Sequence, residues 1–302
     1  MADHAATGTA QSQKEVGLGP AFTKSVIDAM GPKTSPRLRQ IMTSLIHHIH
    51  EFAREVDLTV EEWAAGVEMI NWAGRMSNDK RNEGQLLCDV IGLESLVDDI
   101  TCRLASEASD VATQSAILGP FFRHDTPLSK KGESLIKTAP PDGEPVYVYG
   151  QVFDAVTKKP IAKATLHAWE ASTNGLYEQQ DPDQAEFNLR GKFETEADGS
   201  YAFYCLRPTP YPIPDDGPSG QLLHKLDRHP YRPAHIHFIV LRDGYKPITT
   251  QIFDSESKYL TDDAVFAVKD SLVVKFQPRQ GDDKAKYELK YDIYLAPAAD
   301  KN

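Results

Sequence analysis

At Gly119-Pro120 the chain changes its hydrophobic period, and that break limits it to two differently built parts. Before the break, apolar residues recur at helical spacing. Leu38, Ile41, Met42, Leu45, Ile46, Ile49, Phe52 and Ala53 form one stripe behind Ser35-Pro36, which reads as an N-cap followed by a first-turn proline. A capping box, Thr59-x-x-Glu62, opens a second helix carrying Trp63, Val67, Ile70 and Trp72. Leu86, Leu87, Val90, Ile91, Leu96 and Val97 predict a third over about 83–105. After the break come short alternating runs separated by Gly, Pro and Asp, the pattern of a β-sandwich or barrel. The expected fold is α+β: a helical region over 1–120, then a β-sandwich domain over 121–302. The stretch from Thr126 to Pro145 reads as a polar connector, Asp198-Gly199 as a hairpin-type turn, and the first twenty and last five residues as disordered ends.

A chain of 302 residues is long enough for substantial cores. Its net charge of −11 disfavours nucleic acid or an anionic membrane as a partner. Cys88, Cys102 and Cys205 have no close spacing, so no disulfide framework is suggested. Met1 to Pro20 lacks the apolar core of a signal peptide, and no run approaches membrane-spanning length. The expected compartment is the cytoplasm.

The chemistry-bearing residues lie in the second part. Ala234 to Val240 reads as a strand, where side chains alternate faces. His235 and His237 therefore share one face, while Ile236 and Phe238 point into packing. Two such imidazoles are a ready pair of metal ligands, although a lone His-x-His also fits hydrogen-bonded sheet residues. Upstream, prolines 208, 210, 212 and 214 stiffen the loop that carries Tyr211. Tyr177 ends the turn that begins at Ser172. Two phenolates with two neutral imidazoles would make a hard, doubly anionic donor set, suited to iron(III). Zinc sites use Cys, His and carboxylate, and no carboxylate stands out beside these histidines for an iron(II) facial triad.

The motifs Leu118-Gly-Pro-Phe-Phe-Arg123, Val148-Tyr-Gly-Gln-Val152, Trp169-Glu-Ala-Ser-Thr-Asn-Gly-Leu-Tyr177, Asp198-Gly-Ser-Tyr201, Pro210-Tyr-Pro-Ile-Pro214, Arg232-Pro-Ala-His-Ile-His237 and Thr249-Thr-Gln-Ile252 occur in this order. Together they resemble the intradiol ring-cleaving dioxygenases of the catechol and hydroxyquinol type, over roughly residues 35 to 295. The resemblance implies one non-haem iron(III) per subunit, held by Tyr177, Tyr211, His235 and His237. It implies that Tyr211 is displaced by the diol and takes one of its protons, that Tyr177 stays bound, and that Arg232 and Gln251 flank the substrate. The reaction implied is ring cleavage of an aromatic diol with dioxygen, both oxygen atoms ending in a muconate-type diacid. Arg232 would stabilise the carbanion-like ring as a fixed positive charge. The helical region would pair two subunits as a homodimer, with room for a trapped phospholipid, and act as a lid. Two other classes stand beside this reading: a transthyretin-like sandwich that only binds, and a zinc hydrolase built on His-x-His.

By the same resemblance, the substrate wall comprises Leu86, Asp89, Ile117, Gly119, Pro120, Phe121, Ile213, Pro214, Ala264 and Val265. The Leu86-x-x-Asp89 pair with Gly119-Pro120-Phe121 resembles the hydroxyquinol group. An aspartate in an apolar pocket would accept the third hydroxyl of 1,2,4-trihydroxybenzene. A hydrogen bond to a charged group is worth roughly 1.5–3 kcal/mol, a preference of about ten- to a hundredfold over catechol. The products expected are 3-hydroxy-cis,cis-muconate (maleylacetate) from hydroxyquinol, or cis,cis-muconate in the alternative catechol reading. Asp89 on the solvent side of its helix would carry no such information. His47, His48 and His50 read as solvated surface opposite a buried stripe. Tyr201 and Tyr204 read as strand aromatics, and His167, His224 and His229 have no supporting motif.

Overall fold

The computed structural model describes residues 18–78, 81–106 and 111–298. Residues 1–17 and 299–302, on which most of the expected terminal disorder falls, lie outside the described residues. By contacts the chain divides into two compact units, Met1–Glu68 and Met69–Asn302.

The first unit holds α1 (Pro20–Asp28) and α2 (Pro36–Glu55), and α3 (Val60–Met76) runs across the division. The helix starts follow the side chains that cap them. The Leu38 N–H donates to Ser35 Oγ, and Thr59 and Glu62 exchange the reciprocal bonds of a capping box. The α2 stripe departs from expectation. Leu38, Ile41, Leu45, Ile49 and Phe52 are each about half exposed, and α2 has no buried residue. Periodicity identifies an apolar face but not what covers it. His50 departs as well. Its ring stacks on Phe22 with centroids 5.5 Å apart, and its Nδ1 lies 3.0 Å from Thr23 Oγ1, because α1 packs over that side of α2. His47 and His48 are exposed.

In the second unit the expected third helix is two, α4 (Glu83–Val90) and α5 (Leu93–Ser106). Gly92, at φ +75°, breaks them apart. Two five-stranded sheets then face each other. In one, the long β1 (Pro145–Asp154) pairs antiparallel with β4 (Ser200–Leu206) on one side; on the other it pairs parallel with β11 (Tyr287–Lys290) and then β12 (Ile293–Leu295), with β10 (Gln277–Pro278) outermost. The other runs β3 (Arg190–Glu194), β2 (Thr165–Trp169), β7 (His235–Leu241), β8 (Ile248–Asp254) and β9 (Val273–Val274). A two-residue ribbon, β5 (Tyr211–Pro212) with β6 (Tyr231–Arg232), and the helix α6 (Pro218–Lys225) complete the elements near the site. The core between the sheets takes Val146, Val148 and Val152 from β1, Phe203 from β4, Leu166 from β2, and Ile236, Phe238 and Val240 from β7. Each such side chain contributes roughly 1.5–3 kcal/mol on burial.

The fold is α+β, helices followed by a β-sandwich, as the change of period implies. Asp198-Gly199 forms the hairpin-type turn expected, the Gly199 N–H donating to Glu196 O and the Glu196 N–H to Ser200 O around Gly199 at φ +76°, although the β3 and β4 it links belong to different sheets. All three cysteines are free. Among the described residues, no helix is long and apolar enough to cross a membrane.

Candidate functional site

Because Ile236 and Phe238 take the core side of β7, His235 and His237 both face outward, under the loops at one end of the sheet. Two further elements bring phenols to the same place. In the β5–β6 ribbon Tyr211 pairs directly with Arg232. After β2 the chain turns through Ser172–Tyr177, with the Gly175 N–H donating to Ser172 O and the Ser172 N–H to Leu176 O. Gly175 sits at φ +80°, and a Cβ there would stand 2.8 Å from Tyr211 Cβ. Only glycine lets the two tyrosine-bearing segments approach this closely. Gly119, at φ +69°, plays a similar part against His237.

The four donor atoms close a ring. Tyr177 Oη lies 2.9 Å from Tyr211 Oη and 3.0 Å from His237 Nε2. His235 Nε2 lies 3.3 Å from Tyr211 Oη and 3.1 Å from His237 Nε2. Ligands about 2.0–2.1 Å from a common ion, at angles of about 90–110°, are roughly 2.8–3.4 Å apart. The ring therefore has the edges of a first-row metal site. All four residues are buried. Burial, then the Arg232 charge, holds His235 well below the usual imidazole range; burial, then His235, does the same for His237. Both rings are neutral, with lone pairs available. His235 Nδ1 is 2.7 Å from Pro233 O, which fixes its proton there and leaves Nε2 as the acceptor. His237 is held by stacking on Trp169, with centroids 4.7 Å apart and planes 9° from parallel. Burial pushes both phenols up, so a phenolate here calls for a bound cation. Among the described residues, no group of three or more His, Cys, Asp or Glu could hold a metal. The donor set at this point is phenol and imidazole, which suits a trivalent ion and not a Cys/His/carboxylate zinc site.

Beside the ring lies a pocket lined by Leu86, Asp89, Ile117, Gly119, Pro120, Phe121, Tyr211, Ile213, Pro214, Arg232, His237 and Val265. Nine of the ten residues expected on the substrate wall are among them. The tenth, Ala264, is buried but absent from the lining; its carbonyl accepts from Arg228 Nη2. The pocket closes to a cavity of about 20 Å³, room for a single water. Leu86, Pro120, Phe121, Tyr211, Ile213 and Pro214 are also walls of an outer cleft of about 470 Å³. Gln251 stands behind Arg232 and not on the pocket surface. Its Oε1 accepts from Arg232 Nη2 at 2.7 Å, and its Nε2 donates to Ile117 O at 2.7 Å. Asp89 faces the pocket, not solvent, and its Oδ1 has no hydrogen-bond partner. Burial and the neighbouring Glu94 carboxyl push Asp89 up to about 9, which favours a neutral carboxylic acid here over the charged acceptor expected.

Other aromatic and imidazole groups lie elsewhere. Tyr201 donates to Tyr291 O, Tyr204 donates to Asp282, and His229 sits 3.0 Å from Asp262. Two contributors escaped the sequence reading. Asp263 clamps Arg232, and Arg190, bound to Glu178 and Gln179, grips the chain just after Tyr177. The acidic pair Asp262-Asp263 before Ala264-Val265 was the visible signal for the first.

The comparisons with known proteins agree with this geometry. The family described as "Dioxygenase" matches residues 117–297, and "Catechol dioxygenase N terminus" matches 35–109. The chain is 48% identical to a catechol 1,2-dioxygenase of Candida albicans, covering 92% of this chain and 93% of that one. It is 47% identical to an intradiol ring-cleavage dioxygenase of Aspergillus niger, over 92% and 88%. The solved hydroxyquinol 1,2-dioxygenase of Pseudomonas putida superposes with a TM-score of 0.82 at 36% identity, covering 92% and 98%. With two neutral imidazoles and two phenols closing one ring beside a mostly apolar pocket, and with likeness over nearly its whole length, the chain belongs to the intradiol ring-cleavage dioxygenases, a family of generally non-haem iron(III) enzymes.

Proposed function

We propose that this enzyme cleaves hydroxyquinol with dioxygen to 3-hydroxy-cis,cis-muconate, the tautomer of maleylacetate, using one iron(III) per subunit held by Tyr177, Tyr211, His235 and His237. The ring of four donor atoms at 2.9–3.3 Å supports the ligand set. When bound, iron(III) supplies a Lewis acid for both diol oxygens and makes the aromatic ring electron-rich toward dioxygen. The remaining work belongs to the chain. Leu86, Ile117, Ile213, Pro214 and Val265 pack the ring and exclude water. Tyr211, on the wall shared by pocket and outer cleft, yields to the substrate and takes a diol proton on its oxygen. Arg232, buried and fixed, presents positive charge to the ring as negative charge develops there. Gln251 holds Arg232 in place from behind.

The observation that carries the substrate is the unpartnered Oδ1 of Asp89 in the pocket. The third hydroxyl of hydroxyquinol can pair with it; catechol leaves it unpaired. With Asp89 neutral, the bond is worth about 0.5–1.5 kcal/mol, a preference of roughly two- to thirteenfold, less than a charged acceptor would give. The test compares kcat/KM for hydroxyquinol and catechol in the native protein and in Asp89→Ala. A native preference for hydroxyquinol that disappears in the variant is expected. A native preference for catechol, or discrimination unchanged in Asp89→Ala, sinks the hydroxyquinol assignment and leaves the ring-cleavage chemistry standing. Catechol is the second reading, favoured by the Candida albicans relative.

The half-exposed stripe on α2 supports a homodimer through the N-terminal helices, with an apolar seam suited to a phospholipid chain. Function then divides near residue 120. The helical part assembles the dimer and lends Leu86 and Asp89 as a lid, and the β-sandwich carries the ligands. The proposed compartment is the cytoplasm.

A further inference from the structure

We propose that Asp263 is a positioning residue for ring cleavage, fixing the Arg232 guanidinium and the Val265 wall of the pocket as one unit. The proposal rests on the reading of Arg232 as the cation beside the substrate. Asp263 Oδ1 accepts from Arg232 Nε at 3.2 Å and from the Val265 N–H at 3.3 Å. Its Oδ2 accepts from Arg232 Nη2 at 3.4 Å and from the Ala267 N–H at 3.0 Å. Arg232 Nη2 also donates to Gln251 Oε1, and Gln251 donates on to Ile117 O. One unbroken chain of hydrogen bonds thus ties Val265, through Asp263, Arg232 and Gln251, to Ile117, both of which line the pocket. Asp263, Arg232 and Gln251 are all buried, so water does not compete for these bonds.

The carboxylate does two jobs at once. Between Val265 and Ala267 lies Phe266 at φ +57°, a left-handed conformation that is costly for a bulky residue. The two backbone bonds to Asp263 hold that turn, and the same carboxylate holds the arginine. Asp263 and Gln251 between them take Nε and Nη2. The third nitrogen, Nη1, lies 3.1 Å from His235 Nε2, on the side of the four-atom ring. Without Asp263 the guanidinium is free to turn and the positive charge leaves its place. Small misplacements of a charge at a reacting centre cost rate far more than affinity.

The test uses the iron-loaded protein. Asp263→Asn keeps the shape and removes the charge; Asp263→Ser removes the carboxylate and leaves a hydroxyl for the local backbone N–H groups. Both are expected to retain the phenolate-to-iron visible band and to bind diol anaerobically within about threefold of native. Both are expected to lose kcat by about tenfold to a hundredfold. In a double-mutant cycle, Asp263→Asn added to Arg232→Lys is expected to cost no more than about twofold beyond Arg232→Lys alone. A kcat within about twofold of native in the folded Asn or Ser variant overturns the proposal, as do losses that multiply in the double variant, the mark of a merely structural effect. If Arg232→Lys itself keeps native kcat, the reading of Arg232 fails and takes this proposal with it; if only the Asp263 variants keep kcat, the Arg232 reading survives alone.

Discussion

Gly175→Ala tests the close approach of the two tyrosine segments. At φ +80° an alanine adopts a left-handed conformation, which costs an L residue roughly 1–2 kcal/mol. The added Cβ also stands 2.8 Å from Tyr211 Cβ, well inside the ~3.5–4.0 Å optimum for two carbons. Tyr211 Cβ is not the free end of a flexible chain, because its backbone pairs with Arg232 in the β5–β6 ribbon. Relief therefore moves main chain, and overpacking of this kind costs about 1–3 kcal/mol. The sum is about 2–5 kcal/mol, or roughly 4–20 °C in melting temperature at about 2–4 °C per kcal/mol. Gly132→Ala is the control. Its φ is +82° and nothing lies within 4 Å of the new Cβ, so it carries the backbone strain without the contact. Thermal unfolding by circular dichroism should show Gly175→Ala losing about 1–3 kcal/mol more than Gly132→Ala, and only Gly175→Ala should shift the visible band of the iron-loaded protein. Equal melting temperatures with an unmoved band would show that the glycine is not what brings the phenols together.

Replacing Tyr177 or Tyr211 by Phe should shift or abolish the visible band and greatly reduce turnover with the fold retained, while His235→Ala and His237→Ala should lose iron by metal analysis; a Tyr211→Phe protein that keeps band and turnover removes Tyr211 from the ligand set. Asp89 is held protonated up to about 9 in the fold but ionises near 3.8 in the unfolded chain, so the folded state binds the extra proton. Its favourable contribution is complete below 3.8 and fades as pH rises toward 9. Asp89→Asn should therefore raise the melting temperature more at pH 8 than at pH 4, and an equal change at both pH values contradicts the buried acid. Leu45→Glu with Ile49→Glu on α2 should turn a sedimenting dimer into a monomer; a native protein that already sediments as a monomer ends the dimer proposal.

The parity of β7 was readable because Ile236, Phe238 and Val240 dictate which face is core, and that alone sets His235 and His237 side by side. The Gly119-Pro120 break likewise marked the change from helix to sandwich. Tyr177 and Tyr211 were reachable only through their motifs, since nothing local says that a turn after β2 and a proline loop meet. Asp263 escaped because its meaning lies in a partner 31 positions away. The charge on Asp89 escaped for a related reason: it depends on burial and on Glu94, neither of which a Leu-x-x-Asp pattern reports. Ala264 and Val265 share the motif after the glutamine, yet only Val265 lines the pocket. The Gly92 break between α4 and α5 left a plain sign, a glycine just past a periodic run, that the apolar pattern on both sides obscured.

The mounting of Tyr211 has a kinetic consequence. Its main chain is pinned by β5–β6, its Cβ abuts Gly175, and its ring belongs both to the inner pocket and to the outer cleft. In the proposed displacement, its ring turns about its own side-chain bonds while its backbone stays paired with Arg232. Below that turn the pocket holds no more than a water. On the proposed displacement of Tyr211, arrival at the outer cleft is unproductive until this one phenol rotates, so productive association is gated by a side-chain motion.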